Sequence, residues 1–94
     1  MNPFIIAEMS ANHCGDKDLA FKIIKAAKEC GADAIKVQTY TADTITIDCR
    51  DEIFMTRDDG LWAGQSLYEL YQKAYTPWQW QADLKAYADE IGIE

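Results

Sequence analysis

Residues 31–40 read GADAIKVQTY, and this stretch decides the fold. A glycine followed by small and β-branched residues describes a helix end that runs at once into a short buried strand. Side chains alternate faces along a strand. Ile35, Val37 and Thr39 therefore share one face, and Lys36, Gln38 and Tyr40 share the other. A lysine on a strand covered on both sides needs a partner or an anionic ligand, because an unpaired buried ammonium is costly. An edge strand with one face in water would need neither.

The sequence on either side weighs on that choice. Upstream, residues 17–30 carry Ala20, Ile23, Ile24 and Ala27 at helical spacing, with Lys22, Lys25, Lys28 and Glu29 on the outer side. Asp16 suits the N-cap, Asp18 is the alternative, and Gly31 suits the C′ position. Residues 4–10 (FIIAEMS) form a short apolar run of strand type. Its alternation puts Phe4, Ile6, Glu8 and Ser10 on one face and Ile5, Ala7 and Met9 on the other. Strand, helix and strand predict a βαβ unit with two parallel neighbouring strands. Parallel pairing brings Glu8 and Ser10 beside Lys36 and Gln38 at the C-terminal rim, where α/β folds bind ligands.

Downstream, residues 40–65 make a long connection, the kind of loop that carries binding chemistry. Residues 41–49 alternate weakly through Ile45 and Ile47, which leaves room for a short strand or an extended stretch, and Asp58-Asp59-Gly60 reads as a turn. Ser66 and Glu69 form a capping box for a short helix over residues 66–74. Thr76, Pro77 and Gln79 predict the start of another helix, with Trp80, Leu84, Tyr87, Ala88 and Ile91 on one face and Gly92 at its end. Ile93 and Glu94 look like the first step of a third strand.

Composition narrows the function. The 94 residues carry 9 Lys and Arg against 16 Asp and Glu, a net charge of −7 that argues against nucleic acid and acidic membranes as partners. The three cysteines, Cys14, Cys30 and Cys49, are odd in number and lack a CxxC, so they predict reduced thiols in a cytoplasmic protein. Neither a signal peptide nor a run of about 18 apolar residues is present.

Among chemistry-bearing residues, Glu8 is either a solvated strand end or a rim carboxylate that works as acid or base, or pairs with Lys36. Asn12 and His13 follow in the next loop. A lone histidine is more often structural than catalytic, and no second ligand at metal spacing accompanies it. Cys14 has no general base in evidence and reads as a bystander. Most of the aromatics read as core, whereas Trp62, in the long loop, is the one placed to face a ligand, as a candidate sugar-binding residue.

IIAEMSANHCGD together with GADAIKVQTYTADTITID resembles the N-terminal part of the sialic acid synthase family. Within it, GLWAGQSLYELYQKAYTPWQW is similar to the pseudaminic acid synthase branch, with the legionaminic and N-acetylneuraminic acid synthases as the alternative. The resemblance implies an enzyme that condenses phosphoenolpyruvate with an acylamino sugar and water. For the pseudaminic branch the sugar is 2,4-diacetamido-2,4,6-trideoxy-L-altrose. It implies an α/β fold, a (β/α)8 TIM barrel of about 250 residues followed by an antifreeze-like C-terminal domain. Residues 1–94 would be the first two βα units with a long β2–α2 loop, ending before strand 3. Such a fragment is expected to be inactive alone. By the same resemblance Lys36 binds phosphoenolpyruvate, Gln38 contacts the sugar, and Glu8 is a catalytic or water-orienting acid. Asn12 and His13 belong to the site loop, although Cys14 departs from the usual polar residue there. A divalent metal, Mg²⁺ or Mn²⁺, would be held by histidines outside this chain, and the full-length enzyme would be a homodimer. A free-standing α/β module that binds an anion or a protein without catalysis is the alternative of another class.

Overall fold

A computed structural model of the chain describes residues 2–56 and 63–94. Strand β1 (Ile6–Glu8), helix α1 (Lys17–Glu29) and strand β2 (Ala34–Lys36) form the expected unit. β1 and β2 pair in parallel, with Ile6 opposite Ala34, Ala7 opposite Ile35 and Glu8 opposite Lys36. Then come the one-turn helix α2 (Ala42–Ile45), a 3-10 turn at Glu52–Phe54, and α3 (Leu67–Ala74). A second 3-10 turn, Trp78–Trp80, leads into α4 (Gln81–Ile91).

The ends of α1 follow from local chemistry. The Asp16 carboxylate accepts from the backbone N–H groups of Asp18 at 2.9 Å and Leu19 at 3.3 Å, so Asp16 rather than Asp18 is the cap. At the other end Gly31 sits at φ +92°. The N–H groups of Gly31 and Ala32 return to the carbonyls of Lys28 and Ala27, a Schellman closure that needs the left-handed glycine. Gly92, at φ +82°, ends α4 in the same manner. The Lys28 ammonium donates to the Gly92 carbonyl at 3.0 Å, tying the two helix ends together.

The core lies between the helices and one face of the sheet. Met9, Ala20, Ile24, Leu84, Ala88 and Ile93 are buried together, with Ile35 and Val37 of the second strand segment packed against them. Both long helices thus cover the face of Ile35 and Val37. The face that carries Ile6, Glu8 and Lys36 is open, and Phe4 and Ile6 stay 60% and 56% exposed. A doubly wound sheet would place helices on both faces, whereas a barrel wall places them all on one.

Where a third strand is expected, Glu94 makes two ladder-type hydrogen bonds, although the sheet of the described residues has two strands. The Glu94 N–H donates to the Asp33 carbonyl at 3.2 Å, and its carbonyl accepts from the Ile35 N–H at 2.7 Å. One residue bonded to two neighbours of a single partner is the parallel pattern. Residue 94 therefore stands on the edge of β2 away from β1, the place a third strand takes in a sequentially ordered barrel.

Four local expectations are corrected. The first strand is shorter than residues 4–10, because Ser10 at φ +51° turns the chain out of the ladder. Residues 41–49 hold no strand: α2 takes Ala42–Ile45, and the chain becomes extended at Thr46. The Thr44 hydroxyl accepts from the Thr41 N–H at 3.3 Å and donates to the Thr41 carbonyl at 2.7 Å, which closes a helical turn. Ser66 caps α3 through the Glu69 N–H at 3.1 Å, but the Glu69 carboxylate pairs with Arg50 instead of completing the box. Thr76 does not cap a helix: a 3-10 turn intervenes, and its side chain is engaged elsewhere.

Candidate functional site

The site is built on the open face where the two strands end. Glu8 and Lys36 are register partners, so their side chains leave the sheet on the same side. Lys36 Nζ lies 4.0 Å from Glu8 Oε1, with side chains 59% and 67% exposed. Gln38 follows two residues beyond Lys36, on the same side by alternation, and is exposed. A cation, a carboxylate and an amide thus stand along one open rim. The ammonium can hold an anionic substrate group, the amide can donate and accept toward hydroxyl or acylamino groups, and the carboxylate can accept a proton or orient water.

The loop after β1 divides its residues between two environments. Asn12 is exposed, and its N–H donates to the Met9 carbonyl at 3.1 Å, closing the turn that leaves the strand. Cys14 is exposed at φ +51°, and its thiol points to the Asn12 carbonyl at 3.6 Å. His13 instead is fully buried on the helix side. The Gly15 N–H donates to its Nδ1 at 3.0 Å, so the ring proton sits on Nε2 and faces Thr76 Oγ1 at 3.3 Å. Trp80 meets the ring edge-on at 5.2 Å, and desolvation lowers the imidazole pKa below its ordinary value, which keeps it neutral. The structure thus brings Glu8, Lys36 and Gln38 to one rim and takes His13 away from it. Trp62 lies outside the described residues.

Thr76 and Trp80 are the residues that sequence reasoning missed as partners of His13. Their local signals are those of a helix start and a core aromatic. A second feature had no local signal either. Beyond β2 a cleft of about 400 Å³ opens between the following loop and the α3–α4 junction, with Tyr40, Asp43, Tyr68 and Trp78 on its walls. The Tyr68 hydroxyl donates to the Asp43 carboxylate, which raises the phenol pKa, and burial raises that of Tyr40.

Among the described residues no three His, Cys, Asp or Glu side chains gather as a metal-ligand set. The one histidine of the chain has both ring nitrogens engaged, so these residues do not fit a resident cation. No helix is long and apolar enough to cross a membrane among the described residues.

Comparison with known proteins adds four findings. The NeuB family model matches residues 23–94. Pseudaminic acid synthase of Campylobacter jejuni is 51% identical over 90 residues, which are 96% of this chain and 26% of that protein. N,N'-diacetyllegionaminic acid synthase of Legionella pneumophila is 58% identical over only 45 residues, 48% of this chain and 13% of that protein. The crystal structure of the spore coat polysaccharide biosynthesis protein SpsE of Bacillus subtilis aligns with a TM-score of 0.62 at 36% identity, covering 96% of this chain and 22% of that one. The chain spans about a quarter of the length of the pseudaminic acid synthase it matches. Its fold is that of the first two βα units of a TIM barrel.

Proposed function

Because the chain belongs to the NeuB family, we propose that its open rim is the N-terminal share of a pseudaminic acid synthase active site. The reaction condenses phosphoenolpyruvate with 2,4-diacetamido-2,4,6-trideoxy-L-altrose and water, giving pseudaminic acid and phosphate. The observation that carries this is the in-register pair Glu8 and Lys36 beside Gln38 on an otherwise open sheet face. Such a face supplies opposite charges to a substrate, with little needed from either for the fold.

Lys36 holds the anionic phosphoenolpyruvate so that its C3 lies against the sugar aldehyde, a gain from positioning. Gln38 meets the sugar through its amide. Bond formation from C3 to the aldehyde carbon leaves positive charge at C2. Water orientated by Glu8 attacks C2 and gives one proton to the alkoxide left on the former aldehyde; the C2–O bond to phosphate then breaks as the new C2 hydroxyl loses its proton to the departing phosphate, leaving the 2-keto acid. Mg²⁺ or Mn²⁺ belongs to this proposal as a Lewis acid for the aldehyde. Among the described residues no ligand set holds it. A cytoplasmic homodimer completes the proposal.

The legionaminic and N-acetylneuraminic acid synthases are the weaker reading, because the legionaminic enzyme aligns with only 48% of this chain. No observation favours a non-catalytic module over membership in this family. The test is phosphate release from phosphoenolpyruvate by a protein of the relatives' full length carrying this segment, across a panel of acylamino sugars. We expect the highest kcat/KM with the altrose derivative. A preference for the legionaminic precursor or N-acetylmannosamine would overturn the assignment.

A further inference from the structure

His13 and Thr76 stand 63 residues apart in sequence, and both are fully excluded from solvent. Their contacts form one chain of bonds. The Gly15 N–H occupies His13 Nδ1 at 3.0 Å, His13 Nε2 faces Thr76 Oγ1 at 3.3 Å, and the Thr76 N–H donates to the Gln38 carbonyl at 2.7 Å. Trp80 packs edge-on against the imidazole and limits its rotation. The chain of bonds starts in the β1–α1 turn, crosses the α3–α4 junction and ends on the strand end that carries Gln38.

Lys36 and Gln38 are held in different ways. The last register pair of the sheet is Glu8 with Lys36, and the Met9 N–H donates to the Lys36 carbonyl at 2.9 Å. Gln38 lies beyond that ladder, and its carbonyl is fixed by Thr76. We infer that His13 is a positioning residue: through Thr76 it sets the backbone at Gln38 and so aims the Gln38 amide at the sugar, while the sheet sets Lys36 independently. This rests on the reading that Gln38 meets the sugar and Lys36 meets phosphoenolpyruvate.

The consequence is a split between the two substrates. Thr76→Val keeps the shape of the side chain and removes the hydroxyl that the imidazole holds. In the full-length protein it should raise the KM for the sugar about five- to tenfold, the worth of about one hydrogen bond, and leave that for phosphoenolpyruvate within about twofold. Thr76→Ser restores the hydroxyl and should bring the sugar KM back to within about twofold of the wild type. His13→Ala should raise it at least as far as Thr76→Val. A purely structural role would lower the melting temperature and the active fraction without separating the two KM values.

Gln38→Ala is the reference variant. If it leaves the sugar KM unchanged, the reading of Gln38 as a sugar ligand fails. If it raises the sugar KM while Thr76→Val moves both KM values equally or neither, the positioning inference is overturned. Should Thr76→Val not fold because the imidazole N–H is left without an acceptor, the double variant His13→Phe with Thr76→Val removes both polar partners. It should show the same split, and equal KM shifts in it would overturn the inference.

Discussion

Lys36→Met removes one positive charge from the open rim and keeps a long unbranched side chain. Two magnitudes follow from the geometry. For stability, the Lys36 ammonium is 4.0 Å from Glu8 Oε1, and both side chains are more than half exposed. Such a pair contributes about 0–1 kcal/mol and is screened by salt, so the folding free energy should change by less than about 1 kcal/mol. For binding, a charge-assisted bond to phosphate or carboxylate is worth about 1.5–3 kcal/mol, which is about ten- to 150-fold in the phosphoenolpyruvate KM. Urea unfolding measures the first quantity. Phosphate release at saturating sugar and varied phosphoenolpyruvate measures the second, both on the full-length protein. A phosphoenolpyruvate KM within about twofold of the wild type would refute the reasoning. So would a loss of more than about 2 kcal/mol of stability, because the lysine would then be serving the fold.

Other outcomes are set by the packing. Asp16→Ala removes the two cap bonds at the start of α1 and should cost about 1 kcal/mol in the urea midpoint analysis, whereas Asp18→Ala should cost less than half of that. Leu84→Ala, in the layer between α1, α4 and the sheet, should cost about 2–4 kcal/mol, and a loss below about 1 kcal/mol would contradict the core described. His13 has its pKa lowered from 6.5 by burial, so between the folded and unfolded values the unfolded chain binds the extra proton. Stability is therefore full above about pH 6.5 and falls as pH drops from there toward the lower folded-state value. A urea midpoint that stays flat from about pH 7 to 5 would contradict the neutral buried imidazole.

What was legible in the sequence was the chemistry that acts over one or two turns, together with the strand order. Asp16, Gly31 and Gly92 each fix a helix end through bonds to residues at most five positions away, and each was readable from its type and place. The parallel pairing that sets Glu8 against Lys36 followed from two apolar runs and the helix between them. What escaped was decided by partners far along the chain. Thr76 precedes a proline in a good helix-start pattern, yet a buried imidazole from the β1–α1 loop takes its hydroxyl. Glu69 has the right spacing for a capping box, yet Arg50 takes its carboxylate. Residues 41–49 alternate weakly through Ile45 and Ile47, yet the Thr44 hydroxyl closes a helical turn at their start. Phe4 and Ile6 belong to an apolar run of strand type, yet they stay exposed on the sheet face that the helices do not cover.

The central claim is that the rim of β1 and β2 receives phosphoenolpyruvate at Lys36 and the sugar at Gln38. It is tested most directly by a crystal structure of the full-length protein with phosphoenolpyruvate and the acylamino sugar bound. The account predicts a phosphate or carboxylate oxygen within about 3 Å of Lys36 Nζ and a sugar oxygen or nitrogen within about 3 Å of the Gln38 amide. Phosphoenolpyruvate bound elsewhere, with Lys36 still paired only to Glu8, would contradict it.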